Sequence, residues 1–174
     1  MPMNKLAITV TLSLEEENLE DAYLDFLLTV DGKYLHDSQN HWVDPMDLAA
    51  SATSSGEYFI FTCNCGDPGC VGIDEGVLVS HDGSGVTWKL RTPLGWPPED
   101  ELPDWTHEVE YTFSLEEYVQ AVEGALRQAK SLVRHWRSPG RLWVGPDMSV
   151  EELLSLEVAP EAMPLPAPKS RFVH

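Results

Sequence analysis

Strict alternation of apolar and polar residues marks the first segment of the chain. The apolar positions are Leu6, Ile8, Val10, Leu12 and Leu14. A repeat of two residues is typical of a β-strand that buries one face. The acidic run Glu15–Glu17 follows directly, with no small-residue cleavage site before it. The segment therefore predicts a strand and not an export signal.

Two glycine-bearing turns predict β-hairpins. The apolar stretch 23–30 ends at Asp31-Gly32, and this dipeptide favours a type I′ turn because glycine accepts a positive φ at little cost. A second turn, at 82–85, also separates two apolar stretches. Together with the apolar stretches at 57–62 and 107–113, these segments predict an antiparallel sheet of about six or seven strands.

A long amphipathic helix is predicted after residue 114. Ser114 and Glu117 have the spacing of a capping box, in which the serine accepts a hydrogen bond from the third helical amide. Apolar residues then recur every three or four positions, which predicts a helix over 115–137 with one apolar face. Shorter helices are predicted after Asp44 and after Ser149. The fold class is thus α+β, an antiparallel sheet with one long helix packed on a face.

Length and composition indicate one domain. A chain of 174 residues, 43% of them hydrophobic, fits a single hydrophobic core. The last part of the chain differs, because four prolines fall between 160 and 168. We therefore expect a single α+β domain over 1–158 and a proline-rich tail over 159–174.

The net charge limits the kind of partner. The formal charge is −18, and residues 1–110 hold 21 of the 29 acidic residues but four of the 11 basic ones. Such a chain is repelled by nucleic-acid phosphates and by anionic membranes. A solvated acidic surface explains the charge in the simplest case. A basic protein is the partner that the charge favours, and no nucleic-acid or membrane partner is expected.

Cysteine usage and hydropathy indicate the compartment. The chain has three cysteines, and an odd number argues against the disulfide framework of a small secreted protein. No run of about 18 apolar residues is present, so no membrane helix is expected. The sequence predicts a cytoplasmic protein.

All three cysteines lie within one short segment. Cys63, Cys65 and Cys70 surround a turn that contains glycine and proline. Zinc takes four ligands, commonly cysteine and histidine, in a tetrahedron. The sequence favours a type II turn at 67–70, with a positive φ at Gly69, that returns Cys70 toward the other two. A structural zinc site is therefore predicted, with His81 as the first choice for the fourth ligand and His107 as the second.

Three other interpretations of the cysteine segment stay open. The thiols can be unligated and mostly buried in a tight turn, where cysteine behaves as a small apolar residue. Cys70 can form a disulfide, although a reducing cytoplasm disfavours it. A catalytic thiolate is the third, but no Lys, Arg or His lies within five positions to lower a thiol pKa.

The segment also resembles a group of small uncharacterised bacterial proteins. The resemblance rests on the pattern Cys-x-Cys-Gly-x-x-Gly-Cys at 63–70, on Val86-Thr87-Trp88, on Trp105, and on Tyr111 and Phe113 running on to Tyr118. It covers about residues 57–120. The resemblance implies a bacterial cytoplasmic protein and transfers no activity, ligand or functional residue.

These observations favour a non-enzymatic protein. Its cysteine turn is expected to be a structural element, zinc-bound or not, and its acidic surface suits a basic protein partner, as in an immunity-like or inhibitor role. The alternative is a small enzyme or a ligand-binding module with a site near the cysteine turn and the loop that carries Trp96 and Trp105. No residue is assigned a catalytic role, and zinc is the single expected cofactor.

Overall fold

The computed structural model describes residues 2–35, 41–71, 73, 75–90 and 109–158. These residues form an α+β fold, as predicted. The strands are β1 (Leu6–Leu14), β2 (Ala22–Val30), β3 (Lys33–Tyr34), β4 (Trp42–Val43), β5 (Gly56–Tyr58), β6 (Phe61–Thr62), β7 (Val77–Asp82), β8 (Gly85–Leu90), β9 (Val109–Ser114) and β10 (Leu142–Trp143). The helices are α1 (Pro45–Ser51), α2 (Leu115–His135), α3 (Val150–Ser155) and a 3₁₀ helix (Pro68–Val71).

The strands do not form one sheet. In the first sheet β2 is central, with β1 antiparallel along one edge and both β3 and β10 along the other, and β10 runs parallel to β2. A second sheet has the order β5-β7-β8-β9, and β4 pairs with β6 in a separate two-stranded ladder. The expected single sheet of six or seven strands is therefore wrong, whereas one long helix and the two predicted shorter helices are present.

The division occurs within the apolar stretch 57–62, which the pattern predicts as one strand. The backbone N–H of Phe59 donates to the Asp47 carboxylate at 2.8 Å, and the carbonyl of Ile60 accepts from the Asp44 N–H at 2.8 Å. Both groups are thereby taken up by the α1 region and not by a neighbouring strand of the second sheet. The chain leaves that sheet after Tyr58 and enters the small ladder at Phe61.

The predictions of the two hairpin turns and of the three helix caps are confirmed. Asp31 and Gly32 have φ values of 52° and 82°, the two positive values that a type I′ turn requires. Gly83, in the second predicted hairpin turn, also has a positive φ of 56°. The Asp44 carboxylate caps α1 and the Ser114 and Ser149 hydroxyls cap α2 and α3, by accepting backbone N–H groups of the first turn.

Helix α2 supplies the apolar layer over β1. Its fully or almost fully buried side chains are Tyr118, Val122, Ala125, Leu126, Ala129 and Val133. The helix packs against β1, whose alternate residues Leu6 and Val10 are buried. It ends two residues before the predicted position, since Trp136 has an extended ψ of 129°.

Distant segments of the chain close the fold at two places. The N–H of Asn4 donates to the Thr112 carbonyl at 2.7 Å, and the Asn4 side chain accepts from the Thr112 N–H at 2.9 Å. At the other place, the Ser138 hydroxyl donates to the Glu20 carbonyl at 2.6 Å and the Arg141 N–H donates to the Asp21 carboxylate at 2.7 Å. The contacts of Ser138 and Arg141 place β10 next to the edge of β2.

Three aromatic rings of the core carry a buried polar contact. Trp88 lies edge-on to Phe113 and to Tyr118, with centroid distances of 5.5 and 5.8 Å. The Trp88 Nε1–H donates to the Tyr118 hydroxyl at 3.1 Å, and that hydroxyl is 2.7 Å from Ser51 Oγ. Burial raises the pKa of Tyr118, which keeps the phenol neutral and able to hold both contacts.

Several sequence-based expectations lie outside the described residues. The loop with Trp96 and Trp105, His107, and the proline-rich tail 159–174 belong to this group. The boundary of the predicted domain at 158 stays a prediction.

Candidate metal centre

The cysteine segment connects strands of two different sheets. It follows β6 of the small ladder and precedes β7 of the second sheet. The turn begins with a hydrogen bond from the Gly66 N–H to the Cys63 carbonyl at 3.0 Å. Gly66 has a φ of 87°, a conformation that glycine adopts without the steric cost of a Cβ. This is the position where the turn requires glycine.

The remainder of the segment is helical and not a type II turn. Pro68–Val71 forms the 3₁₀ helix, and Gly69 is not among the residues with a positive φ. The prediction of a type II turn with its positive φ at Gly69 is therefore wrong. Asp67 starts the helix, because its carboxylate accepts the Gly69 N–H at 2.8 Å and its carbonyl accepts the Cys70 N–H at 3.2 Å.

The end of the segment is fixed to the core. The Ile73 N–H donates to the Pro68 carbonyl at 3.0 Å, and Ile73 belongs to the buried hydrophobic cluster. These bonds return the chain on itself, so that Cys70 comes back toward Cys65.

The three sulfur atoms converge, as the spacing of the cysteines predicts. All three Sγ atoms lie within 4.8 Å of one another, and the Cys65 and Cys70 sulfurs are 3.4 Å apart. In a tetrahedral zinc site the Zn–S bonds are about 2.3 Å, which puts neighbouring sulfurs about 3.8 Å apart. Small side-chain rotations therefore bring the three atoms onto one face of a tetrahedron.

The thiols differ in exposure and in proton affinity. Cys65 and Cys70 are exposed, whereas Cys63 is partly buried and its thiol donates to Asn64 Oδ1 at 3.2 Å. The Asp67 N–H and the neighbouring thiols donate hydrogen bonds that lower the pKa of Cys65. The pKa of Cys70 is raised to about 11, chiefly because its S–H donates to Cys65. Cys65 is thus the first of this pair to become a thiolate.

The pKa of Cys65 is lowered although the sequence offers no basic residue nearby to lower it. No basic side chain lies near the cysteines in sequence, as noted above. A backbone N–H stabilises the Cys65 thiolate instead, and residue types do not reveal such a donor before the turn geometry is known.

The structure does not bring His81 to the cysteines. Its Nε2–H donates to the Ser51 carbonyl at 2.8 Å, and its backbone N–H donates to Ser55 Oγ at 2.8 Å. Strand β7 pairs with β5 and not with β6, so it carries His81 away from the cysteine segment by about 3.3 Å per residue. Among the residues that the structure describes, the group of converging ligand atoms contains the three cysteines alone.

His41 is a histidine near the cysteines that sequence reasoning missed. The β4–β6 ladder pairs Trp42 with Thr62, and the same register continued by one residue puts His41 opposite Cys63. Residues opposite one another have Cβ atoms about 5 Å apart. The ring nitrogens of His41 are outside the group of converging sulfurs. The pairing of β4 with β6 is the only signal for this neighbour, and no sequence periodicity shows it.

A cavity of about 580 Å³ lies elsewhere, beside the N-terminus of α2. It is lined by Gly83, Ser84, Ser114, Leu115, Glu116, Val119 and Gln120. No cysteine lines it, and Glu116 is its single titratable side chain. It therefore does not support an enzyme site at the cysteine segment.

Within the described ranges, no helix combines the length and the apolar character that crossing a membrane requires. No known protein family, curated protein or solved structure matches this chain.

Proposed function

We propose that this protein is a non-enzymatic metal-binding protein that holds zinc through Cys63, Cys65 and Cys70. The observation that carries the proposal is the convergence of the three sulfur atoms within 4.8 Å. Thiolates are soft ligands and select zinc or copper(I) over magnesium and calcium. Zinc is the better choice because cysteine-rich sites that assemble tetrahedral coordination are typical of structural zinc.

The position of the cysteines favours a structural role for the metal. The three residues fall between β6 and β7, which belong to separate sheets. A metal bound to all three fixes the path of the connecting chain at its two ends. Because the ligand set is assembled only in the folded chain, the binding free energy adds to the free energy of folding.

The fourth ligand is either a solvent molecule or one further side chain. The exposed positions of Cys65 and Cys70 leave the site accessible to solvent. Three histidines are candidates for the side chain, namely His41 from the strand register and His81 and His107 from the sequence. A site with three protein ligands and water is typical of zinc that exchanges its fourth ligand.

Metal analysis of protein purified without added zinc tests the proposal. We expect about one equivalent of zinc per chain, and its loss in the variants Cys63→Ser, Cys65→Ser and Cys70→Ser. Replacement of zinc by cobalt should give the intense thiolate-to-metal absorption of a cysteine site. Ser54→Ala is the control, because Ser54 lies outside the cysteine segment. A wild-type protein that binds neither zinc nor cobalt would contradict the proposal.

A zinc titration of the unfolding temperature gives a second measurement. A ligand present at one hundred times its dissociation constant stabilises the folded state by about 2.7 kcal/mol. The wild-type protein should therefore unfold at a higher temperature with zinc than with a chelator. The Cys70→Ser variant should show a smaller shift, since one of its three thiolates is absent.

We also propose that the acidic surface meets a basic protein partner, as in an immunity-like or inhibitor role. The net charge of −18 supports this proposal. The connection between β1 and β2 contributes Glu16, Glu17 and Glu20, all exposed. Charge pairs that steer association weaken as salt rises, because ions screen exposed charges.

Binding at two salt concentrations tests the partner. The immobilised protein should retain basic proteins from a bacterial lysate at low salt and release them at high salt. A variant with Gln at positions 16, 17 and 20 should retain less basic protein than the wild type. The control is Arg127→Gln on α2, which should retain at least as much as the wild type. Equal retention by all variants would contradict an acidic docking surface.

A further inference from the structure

We propose that Cys65 and Cys70 form a reversible disulfide under mild oxidation, and that this disulfide expels the metal from the cysteine segment. The second half of this inference rests on the proposed zinc binding. The first half depends only on the arrangement of the two thiols.

The two sulfurs are already close. Their separation is 3.4 Å, and a disulfide bond is about 2.05 Å long. A displacement of about 1.4 Å closes the gap. Both side chains are exposed, so that rotation of each side chain meets solvent and not the packed core.

The backbone holds the two residues on one short turn. The Cys70 N–H bonds to the Asp67 carbonyl, and the Gly66 N–H bonds to the Cys63 carbonyl. These contacts hold Cys65 and Cys70 on the same short turn. An intramolecular reaction between groups held in this way is much faster than a reaction between two chains.

Cys63 is less suited to the same reaction. It is partly buried, and its sulfur contacts Asn64 Oδ1 at 3.2 Å. It is also separated from Cys65 by a single residue. The structure thus distinguishes one reactive pair, Cys65 with Cys70, from a third thiol.

A peroxide is the oxidant class that balances the reaction. The Cys65 thiolate attacks one peroxide oxygen, the O–O bond breaks, and hydroxide leaves and takes up a proton to become water. The Cys70 thiolate then attacks the Cys65 sulfenic sulfur, the S–S bond forms, and the S–O bond breaks to release a second hydroxide, which is also protonated. Two electrons pass from the two thiols to the peroxide. A dithiol reductant reverses the change by exchange.

Disulfide formation removes two of the three thiolates from the metal. A thiolate, and not a disulfide sulfur, is the zinc ligand. After oxidation Cys63 alone is left, which is too few ligands to retain zinc against a chelator. We therefore expect one zinc ion to be released for each disulfide formed.

Hydrogen peroxide added to the full chain tests both halves. In protein stripped of metal, peptide mapping should find the loss of two hydrogen atoms and a link between Cys65 and Cys70. The Cys63→Ser variant should still form this link as its main product, and the control Ser54→Ala should form it at the wild-type rate. The Cys65→Ser and Cys70→Ser variants should form an internal disulfide at least about tenfold more slowly. A main product that contains Cys63, or a link between two chains, would overturn the inference.

The zinc-loaded protein separates this inference from the proposed function. Release of zinc to a coloured indicator should rise in step with the disulfide and reverse with dithiothreitol. Zinc that stays bound after the disulfide has formed would overturn the release. If the wild-type chain binds no zinc at all, the proposed function fails, and the mapping of the metal-free chain still decides the disulfide.

Discussion

The Tyr118 hydroxyl lies 2.7 Å from the Ser51 Oγ atom and joins two helices through the centre of the core. The same hydroxyl accepts the Trp88 Nε1–H. We expect Tyr118→Phe to lower the free energy of unfolding by about 1–3 kcal/mol, because it leaves the buried indole N–H without an acceptor. Urea unfolding measures the change.

An exposed tyrosine provides the control for this prediction. Tyr34 is 65% exposed, so Tyr34→Phe should change the free energy of unfolding by less than about 0.5 kcal/mol. If Tyr118→Phe and Tyr34→Phe lower the free energy of unfolding by the same amount, the buried contact does not stabilise the fold.

Two glycines are expected to respond to alanine in opposite directions. A Cβ on Gly140 would overlap the Glu20 carbonyl group, which must then move away from the segment that brings in β10. Gly140→Ala should therefore cost about 1–3 kcal/mol. Gly124 lies inside α2, and a Cβ there would meet nothing closer than the Arg127 guanidinium at 3.9 Å. Gly124→Ala should stabilise the protein by about 0.5–1 kcal/mol. Thermal unfolding of both variants checks the signs.

Asp47 should make stability depend on pH. Burial raises its pKa above the ordinary value of 3.8, against the opposing effect of the Phe59 N–H bond. At pH values between 3.8 and the raised pKa, the folded state binds more protons at Asp47 than the unfolded state does. The stabilising contribution of the protonated Asp47 carboxyl is therefore fully present below pH 3.8 and is lost as the pH rises through the folded-state pKa.

The variant Asp47→Asn tests this dependence. Asparagine keeps an oxygen acceptor for the Phe59 N–H but does not titrate. Relative to wild type, the variant should gain stability as the pH rises from about 3.5 to about 7. Urea unfolding at a series of pH values measures the difference. A difference that is constant with pH would show that the Asp47 carboxyl titrates alike in both states.

His81→Gln distinguishes a structural histidine from a metal ligand. We expect it to leave the zinc affinity within about twofold of wild type, because His81 lies at the far end of β7. It should lower the stability of the metal-free chain, since it removes the contact with the Ser51 carbonyl. A large loss of zinc affinity without a loss of stability would instead make His81 the fourth ligand, as the sequence predicts.

The hairpin turns and the helix caps were predictable because short-range chemistry determines them. The hairpin at Asp31-Gly32 depends on which residues accept a positive φ, and the caps at Asp44 and Ser114 depend on a side-chain oxygen next to free amides. The three cysteines are likewise close in sequence, and a single turn is enough to bring their sulfurs together. None of these features requires knowledge of a distant partner.

The long-range arrangement was not predictable from the pattern. The stretch 57–62 is apolar throughout, and the break after Tyr58 results from hydrogen bonds to Asp44 and Asp47, which lie more than ten residues earlier. The same division sends β7 to pair with β5 and so takes His81 away from the cysteines. Trp88, Phe113 and Tyr118, which belong to the resemblance, meet in the core and not at a binding site.

The order in which the first sheet is completed has a consequence for synthesis on the ribosome. Its central strand β2 is made early, but β10, which pairs with the Ala22 end of its open edge, is made about 120 residues later. Until Trp143 has left the ribosome, that part of the β2 edge presents free backbone groups, which invite pairing with another chain. Released chains that end before residue 142 should therefore aggregate more readily than released chains that end after residue 158.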